Sequence, residues 1–158
     1  TKHLIFVIIK ILRGVVMNLT DISDDNIADY KKFEQLYSEN LSMYLSRIYP
    51  DKKSIEKWCY INVNDENIGS IWLEKVSENT LKLGVFIADE KYRNKGYGTF
   101  SIKEMLNFAK HSKYEIVTLN VRITNHMAIN TYQNLGFRKT NQYVKNNGIE
   151  VISMIYEL

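Results

Sequence analysis

The stretch best suited to chemistry is a basic loop from Arg93 to Gly98, with the sequence Arg-Asn-Lys-Gly-Tyr-Gly. It lies between a strongly apolar stretch, predicted to be a strand, and an amphipathic stretch, predicted to be a helix. Glycines let a ligand approach the backbone closely, and a helix start offers unpaired N–H groups and a partial positive charge. Arg93 and Lys95 add formal charges. The loop therefore predicts an anion site, and a diphosphate suits it.

The identity of that diphosphate stays open on the loop alone. A nucleoside triphosphate loop requires Gly-Lys-Ser/Thr after its second glycine, and none is present. A dinucleotide fingerprint requires a third glycine where Ser101 stands. Glu115 lies near the distance of a ribose-binding acid, but it begins the next strand instead of ending it. A solvated loop with ordinary helix-starting glycines explains this short motif equally well.

The elements that must position the loop follow from hydrophobic periodicity and turn residues. A polar tetrapeptide, 64–67, and the Asn-Gly dipeptide at 147–148 favour hairpins. Pro50 is expected to end the second helix. The predicted order is a strand at Val15–Ile22, helices at Asp25–Tyr37, Leu41–Ile48 and Ser54–Trp58, strands at Tyr60–Val63, Ile68–Val76 and Leu81–Ala88, a helix at Thr99–Lys110, a strand at Ile116–Val121, a helix at Asn125–Leu135, and a hairpin of Phe137–Val144 with Glu150–Tyr156.

This order predicts an α/β (α+β) fold with a mixed, mostly antiparallel sheet and helices on both faces. The strand–helix–strand unit from Leu81 to Val121 should pair in parallel through a right-handed crossover. No linker, repeat or low-complexity tract divides the chain. We expect one domain over residues 17–158. Residues 1–16 are expected to be either an N-terminal extension upstream of a natural start at Met17, or a strand or helix that packs on the domain.

The length, net charge and cysteine content of the chain favour some classes of protein over others. The 158 residues suit one domain, and the net charge of +3 is spread along the chain, which does not favour a nucleic-acid partner. The apolar run Leu4–Ile9 is too short to span a bilayer. The single cysteine, Cys59, favours a reducing, cytoplasmic location. No His/Cys/Asp cluster indicates a metal site. The oligomeric state is left open, a homodimer included.

Several motifs together resemble one family. The pattern Arg93-x-x-Gly96-x-Gly98 after a strand resembles the Arg/Gln-x-x-Gly-x-Gly/Ala signature of the GNAT family of N-acetyltransferases. The likeness extends from about Asn67 to the C-terminus. Further matching pieces are Asn120-Val121, Asn125-x-x-Ala128, Tyr132 and Leu135-Gly136-Phe137. The runs Leu83–Ile87 and Lys95–Thr99 look most like the branch that acetylates ribosomal protein N-termini or polyamines.

The resemblance implies an enzyme that transfers acetyl from acetyl-CoA to a primary amine of a small molecule or protein N-terminus, by direct attack. Two other classes stay open: a nicotinamide or flavin enzyme, and a non-catalytic acyl-CoA-binding regulatory domain. The implied cofactor-binding residues are Phe86, Ile87, Ala88, Arg93, Asn94, Lys95, Gly96, Tyr97, Gly98, Thr99, Asn125, Ala128 and Tyr132.

The resemblance also implies individual roles. Tyr132 is the candidate acid for the leaving thiolate, with helix packing as its alternative role. Asn125 is the candidate for holding the pantetheine arm, with a helix N-cap as its alternative. The resemblance further implies that the strand Leu81–Ala88 and the strand Ile116–Val121 part and that the thioester enters the gap between them. A backbone N–H near Phe86 is then expected to stabilise the oxyanion.

The sequence offers one candidate for the general base. Glu74 is the candidate, and an exposed strand residue is its alternative interpretation. Some relatives carry a glutamate on the strand before the loop, where this chain has Lys82 and no acid. His111 and His126 are expected at the surface, and Cys59 in the core.

The amine acceptor itself is not identified. Aromatic residues (Tyr37, Tyr44, Tyr49, Trp58 and Trp72) are candidates for a pocket wall or for the core. An acidic group (Asp21, Asp24, Asp25 and Asp29) would attract a cationic acceptor, or would stabilise the helix start next to it.

Overall fold

The computed structural model describes residues 8–12, 14–39 and 47–158. Within them, one eight-stranded sheet has the order β1-β2-β3-β4-β5-β6-β8-β7. The strands are β1 Ile8–Leu12, β2 Val15–Asp21, β3 Ile55–Val63, β4 Glu66–Lys75, β5 Thr80–Ile87, β6 Ile116–Arg122, β7 Arg138–Val144 and β8 Glu150–Glu157. The helices are α1 Lys31–Glu39, α2 Tyr97–Lys110 and α3 His126–Leu135, with 3-10 turns at Ile27–Tyr30 and Glu90–Tyr92.

The predicted sheet type is confirmed. Every neighbouring pair of strands is antiparallel except β5 and β6, which are parallel and joined through α2. The connection between β3 and β4 is the two-residue turn Asn64-Asp65, and both residues have a positive φ (48° and 67°). Such a turn matches the twist of the strands that it joins. At one edge, β1 pairs with β2.

Two predicted helices differ from the structure. The helix predicted over Ser54–Trp58 is wrong, because Ile55 already begins β3 and Trp58 pairs with Trp72 of β4. Long-range strand pairing outweighs the local capping signal of Ser54 here. The helix predicted over Asp25–Tyr37 begins as the 3-10 turn Ile27–Tyr30 and continues as α1. Most of the predicted second helix lies outside the described residues.

The two faces of the sheet bury different side chains. One face packs against α2 and α3 through aliphatic residues such as Leu83, Met105 and Ile129. The other packs against α1 and the chain around Ile48 through an aromatic cluster. That cluster contains Tyr30, Phe33, Ile48, Tyr60, Trp72, Phe86 and Ala88 as its buried members. Helices therefore lie on both faces, as predicted.

The parallel pair β5–β6 is short. Its partners are Thr80 with Ile116, Leu81 with Val117, and Lys82 with Thr118, after which the two strands part. From that point β6 pairs only with β8 along its length. The second half of β5 therefore borders a gap in the sheet instead of a neighbouring strand.

The pairing of β4 with β5 fixes which backbone groups face that gap. The Val76 N–H donates to the Thr80 carbonyl (2.9 Å), and the Ala88 N–H donates to the Ile68 carbonyl (2.8 Å). Only every second pair in an antiparallel ladder exchanges hydrogen bonds. In the continuous register between those ends, Phe86 therefore bonds to Ser70 of β4. The N–H and carbonyl groups of Val85 and Ile87 point away from β4, toward the gap.

Gly84 allows the Trp72 side chain to lie across β5. A Cβ atom at Gly84 would stand 2.1 Å from Cε2 of the Trp72 indole. Trp72 is 4% exposed, and its Nε1–H donates to Oε1 of Glu74 at 2.6 Å. The absence of a side chain at Gly84 therefore sets the position of both Trp72 and Glu74.

We expect Gly84→Ala to lower the free energy of unfolding by about 1–3 kcal/mol, because the added methyl group overpacks against the indole. Denaturant unfolding measures this loss. The same substitution in a Trp72→Ala background removes the collision and should cost much less. Equal losses in both backgrounds would contradict the assigned contact.

Candidate active site

A cavity of about 620 Å³ opens where β5 and β6 part. The starts of α2 and α3 close its other sides. Its lining residues are Val85, Phe86, Ile87, Glu90, Tyr92, Arg93, Asn94, Gly96, Tyr97, Gly98, Thr99, Ile102, Asn120, Val121, Asn125, Met127, Ala128, Thr131 and Tyr132. The gap in the sheet and the glycine loop therefore belong to one site.

The glycine loop forms an anion cradle at the start of α2. Gly96 is the N-cap of this helix with a left-handed φ of 85°, and it has no side chain to cap the first-turn N–H groups. The Phe100 N–H donates to the Gly96 carbonyl at 3.0 Å, so the amides before Phe100 precede the first helical hydrogen bond. Asn94 also adopts a positive φ, 59°, which asparagine tolerates better than most residues. The backbone thus presents N–H groups and the helix dipole to the cavity.

Arg93 ties the loop to the end of β5. Its Nε–H donates to the Ile87 carbonyl at 3.1 Å, and one Nη2–H donates to the Ala88 carbonyl at 3.3 Å. The side chain still lines the cavity. Arg93 therefore fixes the loop beside the strand while keeping its charge near the cradle.

Three predicted site residues do not line the cavity. Ala88, which directly follows β5, is 1% exposed and packs in the aromatic cluster, on the opposite face from Val85 and Ile87. Lys95 is exposed in the loop. Glu74 lies on β4, within the aromatic face. The other predicted residues, Phe86, Ile87, Arg93, Asn94, Gly96, Tyr97, Gly98, Thr99, Asn125, Ala128 and Tyr132, all line the cavity.

Tyr132 is partly buried on α3. Its ring meets the Phe137 ring edge-on, with the centroids 5.8 Å apart. The hydroxyl makes no hydrogen bond to any residue that the structure describes. Burial raises the pKa of the Tyr132 phenol to about 12, so the group keeps its proton at neutral pH. The residue therefore packs against Phe137, keeps its phenol proton and lines the cavity.

Asn125 is the N-cap of α3. Its Oδ1 accepts a hydrogen bond from the Ala128 N–H at 3.3 Å, as its alternative role predicted. Both residues line the cavity. The cap uses the oxygen of the side-chain amide, and its nitrogen is the part left to meet a ligand.

Glu74 is not the exposed strand residue of the alternative interpretation, since only 5% of it is exposed. Oε1 accepts from the Trp72 indole at 2.6 Å and lies 2.7 Å from Nη2 of Arg47. Oε2 accepts from the same guanidinium at 3.0 Å. The structure thus holds Glu74 in a hydrogen-bonded ion pair and does not bring it together with Tyr132.

Other chemically capable side chains lie away from the cavity. Cys59 is fully buried, as predicted, and burial raises the pKa of its thiol. His111 and His126 are exposed. Asp21 pairs with Lys57 at 2.6 Å. Within the described residues, no group of three His, Cys, Asp or Glu side chains is placed to hold a metal ion, and no helix is long and apolar enough to cross a membrane.

Eight lining residues were not predicted as site residues. Val85 and Val121 follow from the alternation of their strands once the gap is known. Ile102 and Thr131 lie on the cavity-facing sides of α2 and α3, near predicted residues. The full set is Val85, Glu90, Tyr92, Ile102, Asn120, Val121, Met127 and Thr131. A helical-wheel argument starting from Gly98 and Ala128 would have found Ile102 and Thr131.

The sequence matches a described protein family. The model of the "Acetyltransferase (GNAT) family" matches residues 19–137. N-alpha-acetyltransferase 30 from Xenopus laevis is 26% identical over 149 residues, which cover 84% of this chain and 55% of that protein. The chain thus spans about half the length of this curated relative.

Solved structures match in fold. Mycobacterium smegmatis RimJ in complex with CoA-disulfide has a TM-score of 0.78 at 13% identity, covering 96% of this chain and 86% of that one. Ard1 from Thermoplasma volcanium has a TM-score of 0.72 at 20% identity, covering 90% of this chain and 97% of that one. At these identities the likeness establishes the fold.

We expect Gly98→Ala to separate stability from ligand binding. A Cβ at Gly98 meets only Cγ1 of Ile87, at 4.0 Å, so the fold has room for it and the helix gains propensity. The melting temperature should stay equal or rise. The methyl group would occupy space beside the first-turn amides, so the Kd for acetyl-CoA should rise by roughly tenfold or more.

Calorimetric titration and thermal unfolding measure the two effects. Asn107→Ala, at an exposed position of the same helix, is the control and should leave the Kd unchanged. An unaltered Kd in Gly98→Ala would mean that Gly98 serves only the helix.

Proposed function

This chain belongs to the GNAT family of acetyltransferases, and we propose that it transfers the acetyl group of acetyl-CoA to a primary amine of a small molecule or a protein N-terminus. The observation that carries this proposal is a single cavity that joins an anion cradle to a gap in the sheet. The anion cradle suits a diphosphate, and the gap in the sheet allows two reactants to reach one reaction centre.

The residues of the cavity suit the cofactor. The cradle before Phe100 offers backbone N–H groups to the pyrophosphate, and Arg93 adds a positive charge beside them. Asn125 stands where the arm between the pyrophosphate and the thioester would pass. When bound, acetyl-CoA supplies a thioester whose carbonyl carbon an amine attacks.

The backbone of β5 is the proposed source of oxyanion stabilisation. The N–H groups of Val85 and Ile87 point toward the gap, whereas that of Phe86 is bonded to β4. A fixed N–H donor is stronger in a site that excludes water, because it needs no reorganisation as negative charge develops on the carbonyl oxygen. The donor is therefore a neighbour of Phe86.

Tyr132 is the proposed general acid. Its hydroxyl would donate a proton to the thiolate that leaves when the carbon–sulfur bond breaks. The pKa of about 12 keeps this proton available throughout the neutral range. The edge-on contact with Phe137 holds the ring beside the cavity that Tyr132 lines.

The residue that takes the proton of the amine is still a prediction. Glu74 is the candidate, but both of its oxygens already accept hydrogen bonds from Trp72 and Arg47. A cytoplasmic location is also part of the proposal, because the chain's one cysteine is a buried thiol.

We expect the protein to bind acetyl-CoA with a Kd on the order of micromolar and not to bind NAD. Calorimetric titration tests both ligands, and release of free thiol in the presence of amines tests turnover. Absence of acetyl-CoA binding to a folded sample would refute the proposal. Binding without turnover of any amine would identify a non-catalytic acyl-CoA-binding domain instead.

We expect Tyr132→Phe to lower kcat by roughly 10²-fold or more, since a positioned acid contributes about that much, with little change in the Kd for acetyl-CoA. Since the pKa of Tyr132 is about 12, wild-type kcat should not fall through loss of this proton below about pH 10. Stopped-assay kinetics from neutral to alkaline pH provide the measurement.

Asn130→Ala, at an exposed position of α3 that does not line the cavity, is the control for a disturbed helix. Equal kcat in wild type and Tyr132→Phe would remove Tyr132 from the mechanism.

A further inference from the structure

The aromatic face of the sheet carries charged side chains beside the gap. Glu74 of β4 pairs with Lys82 of β5, and Lys82 pairs with Thr118 of β6. Directly paired residues project to the same side of a sheet. Arg47 reaches this side through its ion pair with Glu74. The charge of Lys145 also acts on Lys82. We call Arg47, Lys82 and Lys145, which surround Glu74, the cationic patch.

The carboxylate within the cationic patch, that of Glu74, is already paired with Arg47. Glu74 lies 2.7 Å from the Arg47 guanidinium and accepts a second hydrogen bond from it through its other oxygen. No carboxylate of the described residues forms an ion pair with Lys82. The charge of Lys82 is therefore the part of the patch that Glu74 leaves uncompensated.

The surroundings of Lys82 are electrostatically positive. Partial burial lowers the pKa of the Lys82 ammonium, and the nearby Arg47 and Lys145 lower it further, while Glu74 raises it. Apart from burial, the Arg47 guanidinium thus has the largest effect on Lys82, ahead of the Glu74 carboxylate. A bound anion next to Lys82 would relieve this repulsion, and the attraction would be strong because the site is only partly solvated.

Lys82 stands at the base of the gap. The pairing of β5 with β6 ends at Lys82 and Thr118, and Asn120, two residues further along β6, lines the cavity. Asn120 accepts a hydrogen bond from Ser153 of β8 at 2.8 Å, which places its side chain on the same face as Thr118. Two strand residues span roughly 7 Å and neighbouring strands lie about 5 Å apart, so the Cα atom of Lys82 lies on the order of 8 Å from that of Asn120 at the gap.

Resting on the proposed acetyltransferase function, we infer that the acceptor is an amine bearing a carboxylate or other anion about one residue away from its nitrogen, which Lys82 binds. The α-amine of a peptide whose second residue is acidic has this geometry. A polycation would instead meet repulsion from Arg47, Lys82 and Lys145.

The acidic residues near α1 do not alter this balance at the gap. Asp21 is paired with Lys57. Asp29 lies in a separate hollow with Lys32, Asp65 and Glu66. Neither lies on a strand that borders the gap. Glu90, the one acid among the residues that line the cavity, lies 4.0 Å from the Arg93 guanidinium.

The test compares acetylation of three peptides that differ only at the second residue, which is Glu, Gln or Lys. We expect kcat/KM to be highest for the Glu peptide, by roughly tenfold over the Gln peptide, since a charge-assisted hydrogen bond is worth about that factor. In Lys82→Gln this preference should disappear through a higher KM for the Glu peptide. Lys82→Arg should retain it.

Controls separate a local effect from a general one. Lys113→Gln removes an equal charge at an exposed site whose partner is Glu78, and it should keep the preference. An unchanged Kd for acetyl-CoA in Lys82→Gln shows that the variant is folded. The pair γ-aminobutyrate and its amide distinguishes a small anionic amine from a peptide as the source of the same chemistry.

Two results overturn the inference while leaving the acetyltransferase proposal intact. One is faster turnover of the Gln or Lys peptide by the wild-type protein, and the other is a Glu preference that survives in Lys82→Gln. Failure of the folded protein to bind acetyl-CoA would instead remove the proposed function, and the inference with it.

Discussion

The parting of β5 and β6 after three residue pairs is the constraint on which the rest of the site depends. In a sheet that stayed closed, the backbone groups of Val85 and Ile87 would bond to a neighbouring strand, and no cavity would exist between them and Val121. The crossover through α2 belongs to the same arrangement, because a parallel connection needs a helix that starts at the end of β5. The start of that helix is where the glycine loop forms the anion cradle.

The strand alternation divides the chemistry between the two faces of the sheet. Odd-numbered residues of β5 pack toward α2 and α3, on the side of the glycine loop and Tyr132. Even-numbered residues face the aromatic cluster, where Gly84 makes room for Trp72, and Trp72 in turn holds Glu74. The proposed cofactor therefore approaches from one side and the proposed acceptor from the other, and the two meet where the sheet is open.

The sequence allowed the glycine loop, most strands and the parallel unit to be predicted, because these depend on local patterns. Gly96 and Gly98 follow a strand and begin a helix, and Gly136 ends one with a left-handed φ of 110°. The start of β3 could not be predicted, since Ile55 and Trp58 are strand residues only by virtue of β4. The partners of Glu74 were equally hidden, because Arg47 lies 27 residues away in sequence. No local pattern shows where the pairing of β5 with β6 ends, so the gap followed only from the family resemblance, and Asn120 was not predicted to line it.

The parting of β5 and β6 also affects the cooperativity with which the sheet unfolds. It divides the sheet into a block of β1 to β5 and a block of β6, β8 and β7, and only three residue pairs of the ladder cross between them. A ligand in the gap that contacts Val85 on one side and Val121 on the other would link the two blocks of strands. By mass action, such a ligand stabilises the joined state in proportion to the logarithm of its concentration above the Kd. The cooperativity of unfolding, as well as the rate of the reaction, would then depend on the concentration of the cofactor.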